Sequence, residues 1–160
     1  MTGQSAIIEE AGLDAVTLRP IGVIHSPYRK HGDGPIQGAF QPTGQGTVEV
    51  FPEYAAGLKD LEGFSHVYLL YVFHRARPGY DLLVRPYLDT EDRGVFATRY
   101  PRRPNPIGLS VVRLLRREGN VLHIAEVDVL DGTPLLDIKP YVLAFDGRDD
   151  VRVGWLTRKT

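Results

Sequence analysis

Cysteine is absent from the 160 residues of this chain. Its absence excludes a disulfide framework, a thiolate nucleophile and a cysteine-based zinc or iron–sulfur site. No apolar run approaches the length of a transmembrane helix, and the first residues lack the basic start of a signal peptide. We therefore expect a protein of the cytoplasm that is not embedded in a membrane.

A large excess of charge of either sign is also lacking. Lysine and arginine number 19 against 20 aspartates and glutamates, which excludes a basic coat for nucleic acid and a polybasic membrane anchor. The charges are nevertheless segregated, because ten arginines lie between positions 75 and 117, whereas residues 118–137 contain five acidic residues and no lysine or arginine. The basic stretch could bind an anionic polymer, and the acidic stretch could form a neighbouring site that favours a cation. The alternative is two solvated faces of one sheet.

Several common catalytic motifs are missing. The sequence contains no glycine-rich dinucleotide fingerprint, no phosphate-binding P-loop, no H-E-x-x-H zinc motif and no G-x-S-x-G nucleophile elbow. The five histidines show no spacing typical of metal ligands. We therefore expect no metal.

The fold is predicted from many short apolar segments separated by turns that 17 glycines and 12 prolines provide. A short helix is predicted at Pro52–Leu61, and a hairpin turn at Arg117–Asn120. Strands are predicted at Thr17–His25, Thr47–Phe51, His66–Phe73, Leu82–Leu88, Gly94–Thr98, Gly108–Arg116, Val121–Leu130, Tyr141–Phe145 and Val151–Leu156. We therefore predict an all-β, mainly antiparallel, single-domain β-barrel with one or two short helices, spanning residues 16–160 after a flexible tail at 1–15.

The segment T-R-Y-P-R-R-P-N-P-I-G at 98–108 is unusual. Its prolines stiffen the backbone, and its arginines are forked donors suited to phosphate. The amide oxygen of Asn105, fixed between two prolines, could accept hydrogens from an exocyclic amine and orient that amine toward an electrophile. The alternative is a stiff loop whose prolines only lower the entropy of the unfolded chain.

The segment D-V-L-D-G-T-P-L-L-D-I-K-P-Y at 128–141 is the second unusual one. Asp131–Pro134 is a turn by residue choice. Its backbone groups, together with Asp131 and Asp137, could hold a polar cationic ligand. The alternative is a turn that merely connects two strands.

Four blocks in collinear order resemble one known family. They are IGVIHSPY (21–28), LEGFSHVYLLYVFH (61–74), GVFATRYPRRPNPIGLSVVRL (94–114) and DVLDGTPLLDIKPY (128–141). Together they resemble the TsaA/YaeB/VirR family of TrmO-like tRNA N6-adenosine methyltransferases. The resemblance implies a β-barrel homodimer that moves a methyl group from S-adenosyl-L-methionine to N6 of threonylcarbamoyl-adenosine beside the tRNA anticodon, without a metal.

The chemistry of the residues makes Asn105 the catalytic candidate. Phosphates and bases of tRNA would contact Arg102, Arg103, Lys139 and Tyr141. The resemblance implies a cofactor pocket that comprises Gln37, Gly38, Ala39, His74, Arg75, Arg99, Ile107, Gly108, Leu109, Asp131, Gly132, Thr133 and Pro134.

This sequence departs from the family pattern at three points. Tyr100 replaces a serine, Ile36 replaces a common loop arginine, and the chain stops soon after the last block, where longer members carry a further domain. Two alternatives therefore stay open. The same barrel could methylate a substrate other than tRNA, or the chain could be a non-catalytic RNA-binding module.

Overall fold

The computed structural model describes residues 15–30, 32–34, 44–87 and 89–157. Six antiparallel strands form a closed barrel in the order β1-β2-β7-β6-β3-β8. These strands are β1 Gly22–His25, β2 Gln45–Val50, β3 His66–Val72, β6 Ile107–Glu118, β7 Val121–Ala125 and β8 Thr133–Pro140. Two further short strands, β4 Leu83–Val84 and β5 Arg93–Gly94, pair with each other outside the barrel. The predicted all-β barrel class is confirmed.

Buried and more exposed residues alternate along the strands of the barrel. In β6, Gly108, Ser110, Val112 and Leu114 are buried and alternate with more exposed residues. Successive side chains of a strand point to opposite faces, so one face of each strand fills the interior. The fully buried residues include Ile24, Val48, Leu69, Leu122, Ile124 and Leu135.

The predicted hairpin is confirmed in the pairing of β6 with β7. Gly119 adopts a left-handed φ of 61° in its turn. The turn is also attached to β2, because the Asn120 side chain donates to the Val50 carbonyl at 2.8 Å. The segment predicted as one strand at Val121–Leu130 ends earlier, at Ala125, and the next residue, Glu126, has a φ of 64°.

Two predicted strands, at Tyr141–Phe145 and Val151–Leu156, are wrong, because Leu143–Asp146 forms a short helix, α1, and Gly154–Leu156 forms a 3-10 turn. The predicted strand at Gly94–Thr98 is confirmed only at Gly94, which ends β5 and is followed by a 3-10 turn at Val95–Ala97. The two later strands are missing because β8, of which the sequence indicated only the turn at its start, pairs with both β1 and β3 and closes the barrel. A closed barrel has no free edge on which later strands can pair.

The predicted helix at Pro52–Leu61 is also corrected. It consists of two 3-10 turns, Pro52–Leu58 and Leu61–Gly63. Asp60 lies between them in a left-handed conformation with a φ of 71°, which interrupts a regular helix. Among the described residues, no helix is long and apolar enough to cross a membrane.

Candidate functional site

A cleft of about 1230 Å³ opens among the described residues. The residues that line it are Tyr28, Lys30, Gly32, Gly34, Tyr71, Phe73–Ala76, Pro86, Tyr87, Phe96–Pro101, Arg103–Asn105, Ile107–Leu109, Asp128–Leu130, Thr133, Trp155 and Leu156. The excursion between β3 and β6 supplies one wall, and the connection between β7 and β8 supplies another. The cleft exceeds the volume of a typical small-molecule site, so it has room for two ligands together.

The cleft brings together residues from both unusual segments of the sequence. Of the sequence-predicted site residues, those that line it are His74, Arg75, Arg99, Arg103, Asn105, Ile107, Gly108, Leu109 and Thr133. Those that the structure places elsewhere are Arg102, Asp131, Gly132, Pro134, Lys139 and Tyr141. Gln37, Gly38 and Ala39 lie outside the described residues.

Arg103 determines the shape of the arginine–proline segment. Its guanidinium donates to the carbonyl of Thr98 at 2.9 Å and to that of Tyr100 at 3.2 Å. The Asn105 carbonyl accepts the Ile107 N–H at 2.7 Å, just before β6 begins. Arg103 therefore holds the loop that presents Asn105. These two hydrogen bonds use part of the donor capacity of its guanidinium.

Arg102 points away from the cleft. It forms an ion pair with Asp81, and its Nε donates to the Pro78 carbonyl at 3.3 Å. It lines an adjoining small pocket of about 180 Å³ that also includes Arg77 and shares Arg103 with the cleft. Of the two neighbouring arginines, only Arg103 therefore lines the cleft.

The Asp131–Pro134 turn holds the loop after β1. The Asp131 carboxylate accepts the Ser26 N–H at 3.1 Å, and the Asp131 N–H donates to the Tyr28 carbonyl at 2.7 Å. The Asp131 side chain is also 3.5 Å from the His25 ring. The turn thus positions the wall of the cleft, to which it contributes Thr133 directly.

Lys139 and Tyr141 lie along and after β8, away from the cleft. Lys139 pairs with Asp137 at 3.0 Å. The Tyr141 ring packs 5.6 Å from that of Tyr68 and 6.3 Å from that of His66. In a single copy of the chain, these two predicted contacts for tRNA are remote from the residues of the cleft.

Sequence reasoning missed a chain of buried polar groups in the cleft wall. The Tyr71 hydroxyl lies 2.9 Å from the Ser110 hydroxyl, which donates to Asp128 at 2.5 Å. Burial raises the pKa of the Tyr71 hydroxyl, and the charge of Asp128 acts in the same direction, while Ser110 and Arg99 oppose it. The sequence did not indicate Tyr71 and Ser110 because each lies in a strand whose alternating pattern predicts only a buried core residue. Their contact depends on the register between β3 and β6.

Tyr28 was also missed. Its side chain is 6% exposed and lines the cleft, and its hydroxyl has no hydrogen-bond partner among the described residues. A buried hydroxyl without a partner has a cost in free energy for the folded protein.

His74 lies at the end of β3 within the cleft. Burial lowers the pKa of its imidazole, and neighbouring Arg75 lowers it further, against an opposing hydrogen bond to Val72. The imidazole is therefore neutral at pH 7. Among the described residues, no group of three histidines, aspartates or glutamates is arranged to hold a metal ion.

The turn Gly154–Leu156 adds a wall that the sequence did not indicate. The Trp155 Nε1–H donates to the Ala97 carbonyl at 2.8 Å. The guanidinium of Arg93 lies 5.6 Å from the centre of the indole ring. Trp155 and Leu156 thereby reach the cleft.

The family model for the N-terminal domain of tRNA-methyltransferase O matches residues 23–147. A probable S-adenosyl-L-methionine-binding protein of Pyrococcus abyssi is 60% identical over 143 residues, which are 89% of this chain and 77% of that protein. A mouse tRNA (adenine(37)-N6)-methyltransferase is 44% identical over 104 residues, 64% of this chain and 24% of the mouse protein.

Solved structures give the same relationship. A crystal structure of TrmO superposes with a TM-score of 0.74 at 44% identity over 86% of this chain. TrmO from Pseudomonas aeruginosa gives 0.73 at 41% identity over 87% of this chain. This chain spans 62% of the length of each of those chains. The matched domain, the identities and the shared barrel establish that this chain belongs to the tRNA-methyltransferase O family.

Proposed function

We propose that this chain transfers a methyl group from S-adenosyl-L-methionine to N6 of an adenosine of tRNA, beside the anticodon. Membership of the family gives the class of enzyme, an S-adenosylmethionine-dependent methyltransferase. The observation that carries the proposal is the cleft, which assembles Arg99, Asn105 and Asp128 around a volume of about 1230 Å³. That volume accommodates a nucleoside cofactor together with an acceptor base.

The chemistry of the cleft fits the methyl donor. Arg99 suits the carboxylate of the methionine portion, and Asp128 suits a cation. When bound, S-adenosyl-L-methionine supplies a methyl group on a positively charged sulfur that becomes a neutral thioether. The residues of the chain bind this group and orient the acceptor toward it.

Asn105 is the proposed orienting group for the acceptor amine. Pro104 and Pro106 restrict its backbone, and its side chain is exposed at the cleft. Its amide oxygen would accept a hydrogen of N6, which directs the nitrogen lone pair at the methyl carbon. The hydrogen that a methyl group would replace on N6 would leave as a proton to water.

The tRNA substrate is supported by the basic lining of the cleft and by the mouse relative that carries the name of a tRNA methyltransferase. Lys30 and Arg75 line the cleft and suit phosphates of a nucleic acid. The same cations suit the carboxylate of a threonylcarbamoyl group, so we propose threonylcarbamoyl-adenosine as the acceptor. This substrate implies a location in the cytoplasm.

A homodimer is supported by the outer face of β6. Ile107, Leu109 and Val111 alternate outward and are 40%, 45% and 37% exposed. Ile107 and Leu109 also line the cleft, so a second copy on this face would lie next to the site. Light scattering of the purified protein tests this arrangement, and a monomer at all concentrations would refute it.

The test of the proposed function is transfer of a labelled methyl group. The protein is incubated with methyl-labelled cofactor and tRNA with or without the threonylcarbamoyl group, and the digested nucleosides are identified by mass spectrometry. Label on N6 only in the threonylcarbamoyl tRNA supports the full proposal. Label on a different acceptor refutes the tRNA assignment, and absence of transfer with every acceptor leaves an RNA-binding module.

An Asn105→Ala variant separates catalysis from binding. If Asn105 orients the amine, turnover falls by about tenfold or more while the affinity for the cofactor stays within about twofold. An unchanged turnover would remove Asn105 from the proposal.

A further inference from the structure

We propose that Asp128, held by Ser110 and Tyr71, is the counter-charge for the positively charged sulfur of the methyl donor. This assignment rests on the proposed function and names a residue for the same cleft. Asp128 is the first residue of the second unusual segment, but it was not among the candidate site residues of the sequence analysis.

The direction of the hydrogen bonds follows from the chemistry of the groups. A carboxylate only accepts, so the Ser110 hydroxyl gives its one hydrogen to Asp128 at 2.5 Å. The Tyr71 hydroxyl must then donate to the Ser110 oxygen at 2.9 Å. With Asp128 as a carboxylate, the hydroxyls of Tyr71 and Ser110 both donate in the direction of Asp128.

The two hydroxyls are fixed by the barrel. Tyr71 on β3 is 5% exposed and Ser110 on β6 is 4% exposed. The strand pairing places Tyr71 opposite Gly108, two positions from Ser110 on the same face. Asp128 lies on the connection between β7 and β8, but its carboxylate is held by side chains of the rigid strands β3 and β6. A charge that is already oriented requires little reorganisation when a ligand binds.

The surroundings of Asp128 favour a diffuse cation. The rings of Tyr71 and Phe73 lie nearly perpendicular with centres 5.5 Å apart, and both residues line the cleft with Asp128. Aromatic rings attract a cation, and a sulfonium is poorly hydrated compared with an ammonium. Arg99 lies in the same cleft and suits the carboxylate of the ligand, so anionic and cationic parts of the donor have separate partners.

The test compares three ligands that share the adenosine and the amino acid. S-adenosylmethionine carries the sulfonium, sinefungin carries an amine cation at that position, and S-adenosylhomocysteine carries a neutral thioether. Calorimetric titration of Asp128→Asn should show about tenfold weaker binding of the two cations, which corresponds to loss of one charge pair. Binding of S-adenosylhomocysteine should change by less than about twofold.

The outcomes distinguish this inference from the proposed function. Equal weakening for all three ligands, or no weakening for any, would overturn the role of Asp128 while the wild type still binds the cofactor. Failure of the wild type to bind any of the three would instead refute the proposed function. Asp149→Asn is the matched control, because Asp149 is exposed and does not line the cleft, and it should leave all three affinities unchanged.

A second variant decides the question if Asp128→Asn does not fold. Ser110→Ala keeps the charge of Asp128 and removes the hydrogen bond that aims it. We expect it to weaken S-adenosylmethionine more than S-adenosylhomocysteine. Equal weakening of the two would overturn the proposal.

Discussion

The ring of Tyr71 lies directly over Gly108 on the neighbouring strand. The two residues are cross-strand partners, and a Cβ placed on Gly108 would come within 2.1 Å of Cε2 and 2.5 Å of Cζ of the ring. Only glycine, which has no Cβ, therefore leaves room for the Tyr71 ring over position 108 of β6. With its ring over Gly108, the last residue of the arginine–proline segment, Tyr71 places its hydroxyl within hydrogen-bond distance of Ser110.

Replacing Gly108 with alanine should destabilise the fold by about 1–3 kcal/mol, because the buried ring has to move. Urea denaturation monitored by circular dichroism measures this change. The control is Gly57→Ala, where nothing lies within 4 Å of the added Cβ. Equal stability of the two variants would show that the ring moves freely.

Tyr28→Phe should change the stability of the protein and leave ligand binding unchanged. Removing the hydroxyl that lacks a partner among the described residues should stabilise the unliganded protein by about 1 kcal/mol. The affinity for S-adenosylhomocysteine should stay within about twofold, because the hydroxyl is fully buried and presents no surface to a ligand. Thermal melting with and without ligand measures both effects.

The control for that experiment is Tyr54→Phe, which removes a hydroxyl from a side chain that is 39% exposed. It should leave both quantities unchanged. Loss of stability in Tyr28→Phe would mean that its hydroxyl makes a hydrogen bond in the free protein.

Trp155 should report on occupation of the cleft. It is the sole tryptophan of the chain and lines the cleft, so its fluorescence can be assigned without ambiguity. We expect the emission to change in a saturable manner on addition of S-adenosylhomocysteine, with the same dissociation constant as calorimetry. Binding seen by calorimetry without any change in emission would place the ligand away from this wall.

Binding of S-adenosylmethionine should depend on pH through His74. Because the pKa of this imidazole lies below the usual 6.5, it is neutral at pH 7 and becomes a second cation beside Arg75 only in more acidic solution. The affinity for the cationic ligand should therefore stay constant down to about pH 6.5 and fall below it. In the unfolded chain His74 has its ordinary pKa and takes up a proton at a higher pH than in the folded protein. The free energy of unfolding therefore also falls as the pH drops below about 6.5.

Titrations over a pH series measure this dependence. His74→Gln should flatten the profile for S-adenosylmethionine, and the neutral S-adenosylhomocysteine should show a weaker profile in the wild type. An identical decline in His74→Gln would assign the effect to a different group.

The candidate site was accessible to sequence reasoning only in part. Proline and glycine positions indicated a stiff loop at Arg99–Ile107 and a turn at Asp131–Pro134, because those residues restrict the backbone locally. Arg102 and Arg103 looked equivalent, yet one pairs with Asp81 and the other ties carbonyls of its own loop. Which partner an arginine meets depends on distant segments, and local composition does not contain that information.

The sequence by itself determined the β-barrel class, the hairpin at Gly119 and the identity of the motif residues, since these follow from the alternation of apolar residues and the chemistry of turns. Tertiary structure alone decided that β8 closes the barrel and that Trp155 reaches the cleft. It also decided that Tyr71, Ser110 and Asp128 meet. These relationships depend on strand register and barrel closure, which are set by contacts between residues far apart along the chain.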